Sequence, residues 1–386
     1  MKRWFLIGLF FVMLAAQCEA GKPESYTVVR IAVLQNMESF ILSIRGAYTI
    51  VDPLTGEELE KGKKKQRSRA TAQPEGISIG QNIYPFKRIK IVLRKDMAIQ
   101  ADEKKEDYRT YRGTMEIIKA KGNRLLLVNE LDLESYIKGV LYHEVTHRWP
   151  MEAMKAQAVA ARTYALYQIH QNQEQNYHVT SDIYSQVYGG RSAERYRTNI
   201  AVERTKGEIL MYDGKILPAY FHSNSGGYTE DAKELWGHDL PPLKGRKDDY
   251  ALSAPNANWK KNFWSKDVQS KLIASGYNAG LIKDIRVRER TASGRVKTLE
   301  IESQDGKVLT IPGKKFREIL GPNIIKSNMY EVVMQGYYFD LVGKGWGHGV
   351  GLCQWGAYEM ARQRFGYQEI LSFYYPGAKL IKKNDL

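Results

Sequence analysis

The residues best placed to do chemistry lie between Glu134 and Tyr164, ESYIKGVLYHEVTHRWPMEAMKAQAVAARTY. Glu144 ends one helix-like segment there, and an alanine-rich helix carrying Lys155, Gln157 and Arg162 begins beyond Pro150. This layout suits a single proton donor at the lip of a cleft, with cations beside it to hold an acidic substrate. The same stretch also spells HEVTH, the H-E-x-x-H pattern of zinc peptidases. On one continuous helix His143 and His147 would share a face and could ligate a metal, with Glu144 polarising its water. Three features weigh against that. Pro150 follows three residues after His147 and pushes Trp149 out of the α region. No H-x-x-G-x-x-H extension follows. A third ligand would have to be His170, Glu174 or His178, none of them within a recognisable motif. We therefore expect no metal and no cofactor.

The elements that must position these groups can be read from periodicity. Tyr26–Leu34, Ser39–Ile44, Ile89–Val92, Thr114–Ala120 and Arg124–Val128 read as strands. The basic run Lys61–Arg69, KGKKKQRSR, lies between strand candidates and reads as a solvated loop. Leu133–His143 forms a helix, and Pro150 opens the next at its first helical position. Met151, Met154, Ala158, Ala161 and Ala165 recur on one face of that second helix. Further on, Ile282–Arg290, Val296–Glu302 and Val308–Ile311 read as strands, and Leu352–Arg364 and Gln368–Tyr374 as helices. The expected fold class is α+β: one two-lobed catalytic unit, β-rich in its N-terminal half, with mixed helices and strands around a cleft. Its β-rich lobe spans about 25–130 and its helical core about 131–230. A mixed remainder carries a glycine-rich motif at 343–357.

Composition narrows the setting. The chain has 386 residues and a formal charge of +15. Lys2 and Arg3 precede an apolar run from Trp4 to Ala16, which reads as a secretory signal peptide rather than a membrane span. Cys18-Glu19-Ala20 supplies a cleavage site, so residues 1–20 would be removed and Gly21 would lead the mature chain. Cys18 could instead carry a lipid, but Gln17 before it fits that poorly. Cys353 would then be the one remaining thiol, which rules out an intramolecular disulfide. A basic exported protein meets anionic wall polymers, muramyl carboxylates or lipid head groups, not nucleic acid.

Glu134, Tyr136, Gly139, Val140, Glu144, Pro150, Ala153, Lys155, Ala156, Gln157, Ala158, Ala160, Ala161, Arg162 and Thr163 together resemble the core motif of the SpoIID/LytB family (stage II sporulation protein D). Tyr220–Gly227, YFHSNSGG, running on to Trp236-Gly237, is a second match. Gly345–Ala357, GWGHGVGLCQWGA, followed by Tyr374-Tyr375-Pro376-Gly377, is a third. Tyr111-Arg112-Gly113 and Val128-Asn129 are similar to the family's N-terminal half. The resemblance implies lytic transglycosylase activity on peptidoglycan glycan strands already stripped of peptide by an amidase, with Glu144 the catalytic acid and Lys155 and Arg162 in support. Some relatives modify amidases instead, so a non-catalytic glycan-binding protein that recruits or stimulates an amidase is the alternative. Some members hold zinc through histidines and cysteines after the alanine-rich helix. Here Tyr177–Gly190 has His178 but no cysteine. The histidines beside Glu144 also depart from the small residues usual just before that position.

On this reading Glu144 protonates the leaving oxygen and then takes the proton of the sugar's own C6 hydroxyl. That requires a pKa raised by apolar burial, for which Tyr142, Val145 and Trp149 are candidate walls. Arg162 would bind the substrate's lactyl carboxylate rather than touch Glu144. Gly343, Gly345, Gly347, Gly349 and Gly351 alternate with larger residues, which in extended form leaves one bare face. From the other face Trp346 would stack on a sugar ring, and His348 and Gln354 would hydrogen-bond hydroxyls. Lys155 and Gln157 join these as substrate-binding candidates. Asn224 and Ser225, with Gly226-Gly227, form a polar turn that serves either sugar binding or turn chemistry. Cys353 reads as a packed thiol, although a helix-start position would lower its pKa.

Overall fold

The computed structural model describes residues 27–101, 107–255 and 257–382. The expected signal segment, with Cys18, lies outside them. Strands β1 (Val28–Met37), β2 (Ser39–Arg45), β3 (Tyr48–Val51), β4 (Glu58–Gly62) and β5 (Lys65–Gln73) open the described chain. The strand Arg124–Asp132 pairs antiparallel with β1 on one side and with Thr114–Ala120 on the other, inside a seven-stranded sheet. β2 and β5 pair within a six-stranded sheet. Inward residues of both sheets, such as Ile31, Ile117 and Leu127 from the first and Leu42, Ile77 and Ile99 from the second, share one apolar core. Burial of these β-branched and leucine side chains is what holds the sheets face to face.

The basic run departs from the expected loop. It spans the end of β4, the turn after it, and the first half of β5, where the chain leaves one sheet for the other. Its charges are solvated as expected, but the backbone is strand. The side chains that open β5 are exposed or half-buried. Lys65 turns back to Glu60 at 2.5 Å, and Arg67 reaches the Gln100 side chain at 3.0 Å.

Two helices follow. In α1 (Leu133–Glu144) the Asp132 side chain caps the start by accepting from the Ser135 N–H at 2.9 Å. α2 (Met151–Gln171) begins after Pro150, which is the N-cap and not the first helical residue (φ −54°, ψ 143°). Along α2, Ala153, Met154, Ala158, Ala161 and Ala165 pack into the sheet core, and Ala156, Val159 and Ala160 into a second core formed with the C-terminal helices Gln354–Arg362 and Tyr367–Tyr374. A helix buried on both sides must be small-sided all round, which is why its sequence is alanine-rich. Met151, expected on the same face, is only partly buried.

A third core lies between Trp259 and Leu341. It joins two three-stranded sheets, one of Asn258–Trp264, Tyr338–Lys344 and Tyr330–Gln335, the other of Ile282–Arg290, Val296–Ser303 and Val308–Pro312. The chain then returns, and Lys379–Lys382 pairs with Glu208–Tyr212 beside α2. The architecture is α+β with a β-rich N-terminal half. Among the described residues no helix is long and apolar enough to cross a membrane.

Candidate active site

Glu144 is the last residue of α1. Val145 leaves the helical region (φ −138°, ψ 131°) while its N–H still bonds Leu141 O at 2.9 Å. Glu144 there lines a cleft of about 420 Å³. One carboxyl oxygen accepts from the Val187 N–H at 3.1 Å, the other from the Gln354 amide at 3.0 Å. Burial raises the Glu144 pKa above the ordinary carboxylate value, and the two donors only partly oppose it. The negative end of the α1 dipole works in the same direction as burial.

Where α1 stops also interrupts the H-E-x-x-H pattern. His143 and His147 lie on opposite sides of the break, so they do not share a helix face. Tyr142 occupies the space between them: its ring stacks on His147 at 5.7 Å and meets His143 edge-on at 5.7 Å. His178 is held against Arg30, whose backbone N–H reaches its Nδ1 at 3.1 Å.

The rest of the cleft is aromatic and neutral. Tyr164, Tyr184, Tyr220, Trp236 and Trp346 line it together with Gln168, Ser185 and Ser223. Tyr220 and Trp236 stack with ring centroids 4.3 Å apart. His348 lines the wall and accepts from the Val350 N–H through Nδ1 at 3.0 Å; burial lowers its pKa to about 3. His222 beside it is buried, its Nδ1 3.1 Å from the Val350 carbonyl and its Nε2 without a partner. Both imidazoles are therefore neutral. Among the described lining residues Glu144 is the only carboxylate, and no lysine or arginine is present.

Of the residues expected at this site, Glu144, Trp346, His348 and Gln354 line one cleft. Gln354 holds Glu144 itself. The others sit elsewhere. Arg162 is fully buried and forks onto Glu134 with two 2.8 Å bonds, also reaching Glu208 O and Val202 O. It cannot meet a substrate carboxylate. Lys155 pairs with Glu152 at 2.7 Å and lies over the Tyr367 ring at 5.0 Å. Gln157 is buried in α2, with neither side-chain polar atom partnered. Asn224 and Ser225 do turn chemistry: Asn224 accepts from the Gly226 N–H at 2.7 Å, and Ser225 donates to Asp248 at 2.7 Å. Tyr142, Val145 and Trp149 do not line the cleft; Trp149 packs on Trp355 and Tyr358.

The glycine run is not extended. Gly345 and Gly351 have φ of 74° and 70°, a region that favours glycine. A Cβ would fall 2.7 Å from Asn224 O at the first and 2.1 Å from Tyr220 O at the second. The bare positions thus press against the 220–226 backbone, and Trp346 exchanges two main-chain bonds with Asn224. Cys353 caps the following helix from within the core, accepting from the Gly356 N–H at 3.3 Å. Burial pushes its thiol pKa up, so the helix start does not make it a nucleophile.

Sequence reasoning missed Tyr164, Tyr184, Tyr220 and Trp236 as cleft walls. All four lie in stretches already singled out: the alanine-rich helix, the segment Tyr177–Gly190, and the segment from Tyr220 to Trp236.

A family model described as stage II sporulation protein (SpoIID) matches residues 121–212, and one described as a domain of unknown function (DUF8618) matches 251–351. An uncharacterized protein of Brachyspira hyodysenteriae is 36% identical over 67% of this chain and 69% of its own length. The stage II sporulation protein D of Bacillus subtilis is 31% identical over 66% of this chain and 75% of its own. The amidase enhancer of Bacillus subtilis is 31% identical over 63% of this chain, a match that spans 40% of that relative.

Proposed function

The chain belongs to the stage II sporulation protein D family, and from that premise we propose that it is an exported lytic transglycosylase that remodels peptidoglycan, cleaving peptide-stripped glycan strands with Glu144 as acid and base. The observation that carries this reading is one raised-pKa carboxyl facing an aromatic cleft with no second carboxylate among the described lining residues. Retaining and inverting hydrolases place two carboxyl groups across the bond. A transglycosylase needs one, because the substrate supplies its own nucleophile.

The proposed steps use these groups. Tyr220, Trp236 and Trp346 line the space where the sugars would lie, aromatic surface suited to a pyranose ring. Protonated Glu144 gives its proton to the glycosidic oxygen as the C1–O bond breaks, leaving an oxocarbenium-like centre. The carboxylate that remains is held by the Val187 and Gln354 donors. The C6 hydroxyl oxygen then bonds C1, its proton passes to Glu144, and the acid is restored with a 1,6-anhydro sugar as product.

The test is mass spectrometry of amidase-stripped strands after incubation with the mature protein and with Glu144→Gln. Ends in 1,6-anhydro-N-acetylmuramic acid are expected, with the rate falling at least about 10²-fold in the variant. Reducing ends instead would mean a hydrolase with a second catalytic group. The match to an amidase enhancer favours a second reading, a glycan-binding partner of an amidase. Strands bound but uncleaved by the native protein would establish that one.

A further inference from the structure

The substrate proposed for this cleft is anionic, because each muramyl sugar carries a lactyl carboxylate. The cations expected to meet it are used inside the fold: Arg162 by Glu134, Lys155 by Glu152. No described residue of the cleft lining replaces them. One cation stands at the rim. Lys326 Nζ lies 4.7 Å from the centroid of the Trp346 ring, and Trp346 lines the cleft with 43% of its surface exposed.

Lys326 is built in at its backbone. Its carbonyl accepts from the Gly347 N–H at 2.8 Å and from the Arg317 guanidinium at 3.1 Å, which ties it to the glycine run on one side and to a half-buried arginine on the other. Among the described residues no carboxylate forms an ion pair with its ammonium. An ammonium over an indole is only weakly committed where water reaches it, and remains available to a carboxylate. Trp346 supplies the complementary half, a flat apolar surface for a pyranose face. Both residues fall in the 251–351 stretch that matches a domain of unknown function.

We propose that Lys326 and Trp346 form the subsite that selects an anionic, muramyl-type sugar over a neutral one, the indole stacking on the ring and the ammonium pairing with its lactyl carboxylate. The inference rests on the glycan-cleaving reading of the same cleft.

The test measures binding in the non-cleaving Glu144→Gln protein, with and without Lys326→Gln. Three probes are used: peptide-stripped glycan strands, the same strands with their carboxyls methyl-esterified, and neutral chitooligosaccharides. Lys326→Gln should weaken binding of the free-carboxyl strands about fivefold, the size expected of one exposed ion pair. It should leave the esterified strands and chitooligosaccharides unchanged, and Lys326→Arg should restore the difference. Trp346→Ala should weaken all three. Equal loss on charged and esterified strands, or no loss on either, would overturn the subsite while leaving the cleft a glycan site. If no probe binds the Glu144→Gln protein, the glycan reading of the cleft falls, and the subsite with it.

Discussion

Glu144 is held at both oxygens by groups that cannot take its proton, a backbone N–H and a primary amide. Burial sets its pKa high and the amide of Gln354 restrains it. In the proposed mechanism Glu144 must be protonated to act as general acid, so activity should fall as pH rises through its pKa. Removing the Gln354 donor takes away an interaction that favours the carboxylate. Gln354→Leu should therefore move the alkaline limb of kcat/KM to higher pH, with a lower kcat because the carboxylate left after proton transfer loses support. A pH–rate profile of the variant whose alkaline limb stays in place would remove Gln354 from the site's electrostatics. The reading of the glycine segment marked Gln354 as a sugar ligand; only the fold reveals that it reaches a residue 210 positions away in sequence.

At the scale of elements, the two helices form a mount for that carboxylate, and Arg162 is its internal brace. Its guanidinium joins α2 to Glu134 in the first turn of α1, with two parallel bonds and no exposed surface. Replacing it by Met leaves Glu134 facing α2 without its counter-charge. Breaking such a pair costs about 3 kcal/mol, here an upper figure because Glu134 keeps some contact with water. We expect Arg162→Met to lower the urea midpoint accordingly, Glu134→Gln added to it to recover part of the loss, and KM to stay close to native wherever the protein is folded. A native midpoint with lost glycan affinity would return Arg162 to the substrate. The helices and most N-terminal strands were legible in sequence because each shows its own periodicity: Thr114–Ala120 matches its expected bounds and α1 runs one residue further. The Arg162–Glu134 pair was not, since the residues are 28 apart and nothing local links them. The glycine run misled for a related reason. Alternation with bulky residues mimics a strand, but φ near 70° at Gly345 and Gly351 is imposed by the backbone they press against.

The whole molecule balances two opposite kinds of buried titratable group. His178 and His348 have pKa values lowered to about 4 and about 3 by burial, and His222 is held well below its ordinary value for the same reason. Glu116, Glu144 and Asp248 are raised by burial. The signs differ. A histidine kept neutral by the fold contributes stability that is present above the unfolded value of 6.5 and lost as pH falls below it, because only the unfolded chain then gains the proton. A carboxyl raised by the fold does the reverse, favouring the folded state at low pH and penalising it as pH climbs through the raised value. Between about pH 6.5 and pH 4 the two kinds oppose each other, since unfolded histidines gain protons there while the raised carboxyls gain theirs first in the folded state. The histidine share of the stability should therefore decline on acidification through this range. His178 is the clean place to test it, as it lies outside the cleft and packs against β1 through Arg30. Calorimetry of His178→Asn across the window should show a lower melting temperature at neutral pH and a shallower acid decline, so that the two curves converge toward pH 4. Parallel curves would mean that His178 is protonated alike in both states, and that the acid sensitivity belongs to the histidines of the cleft.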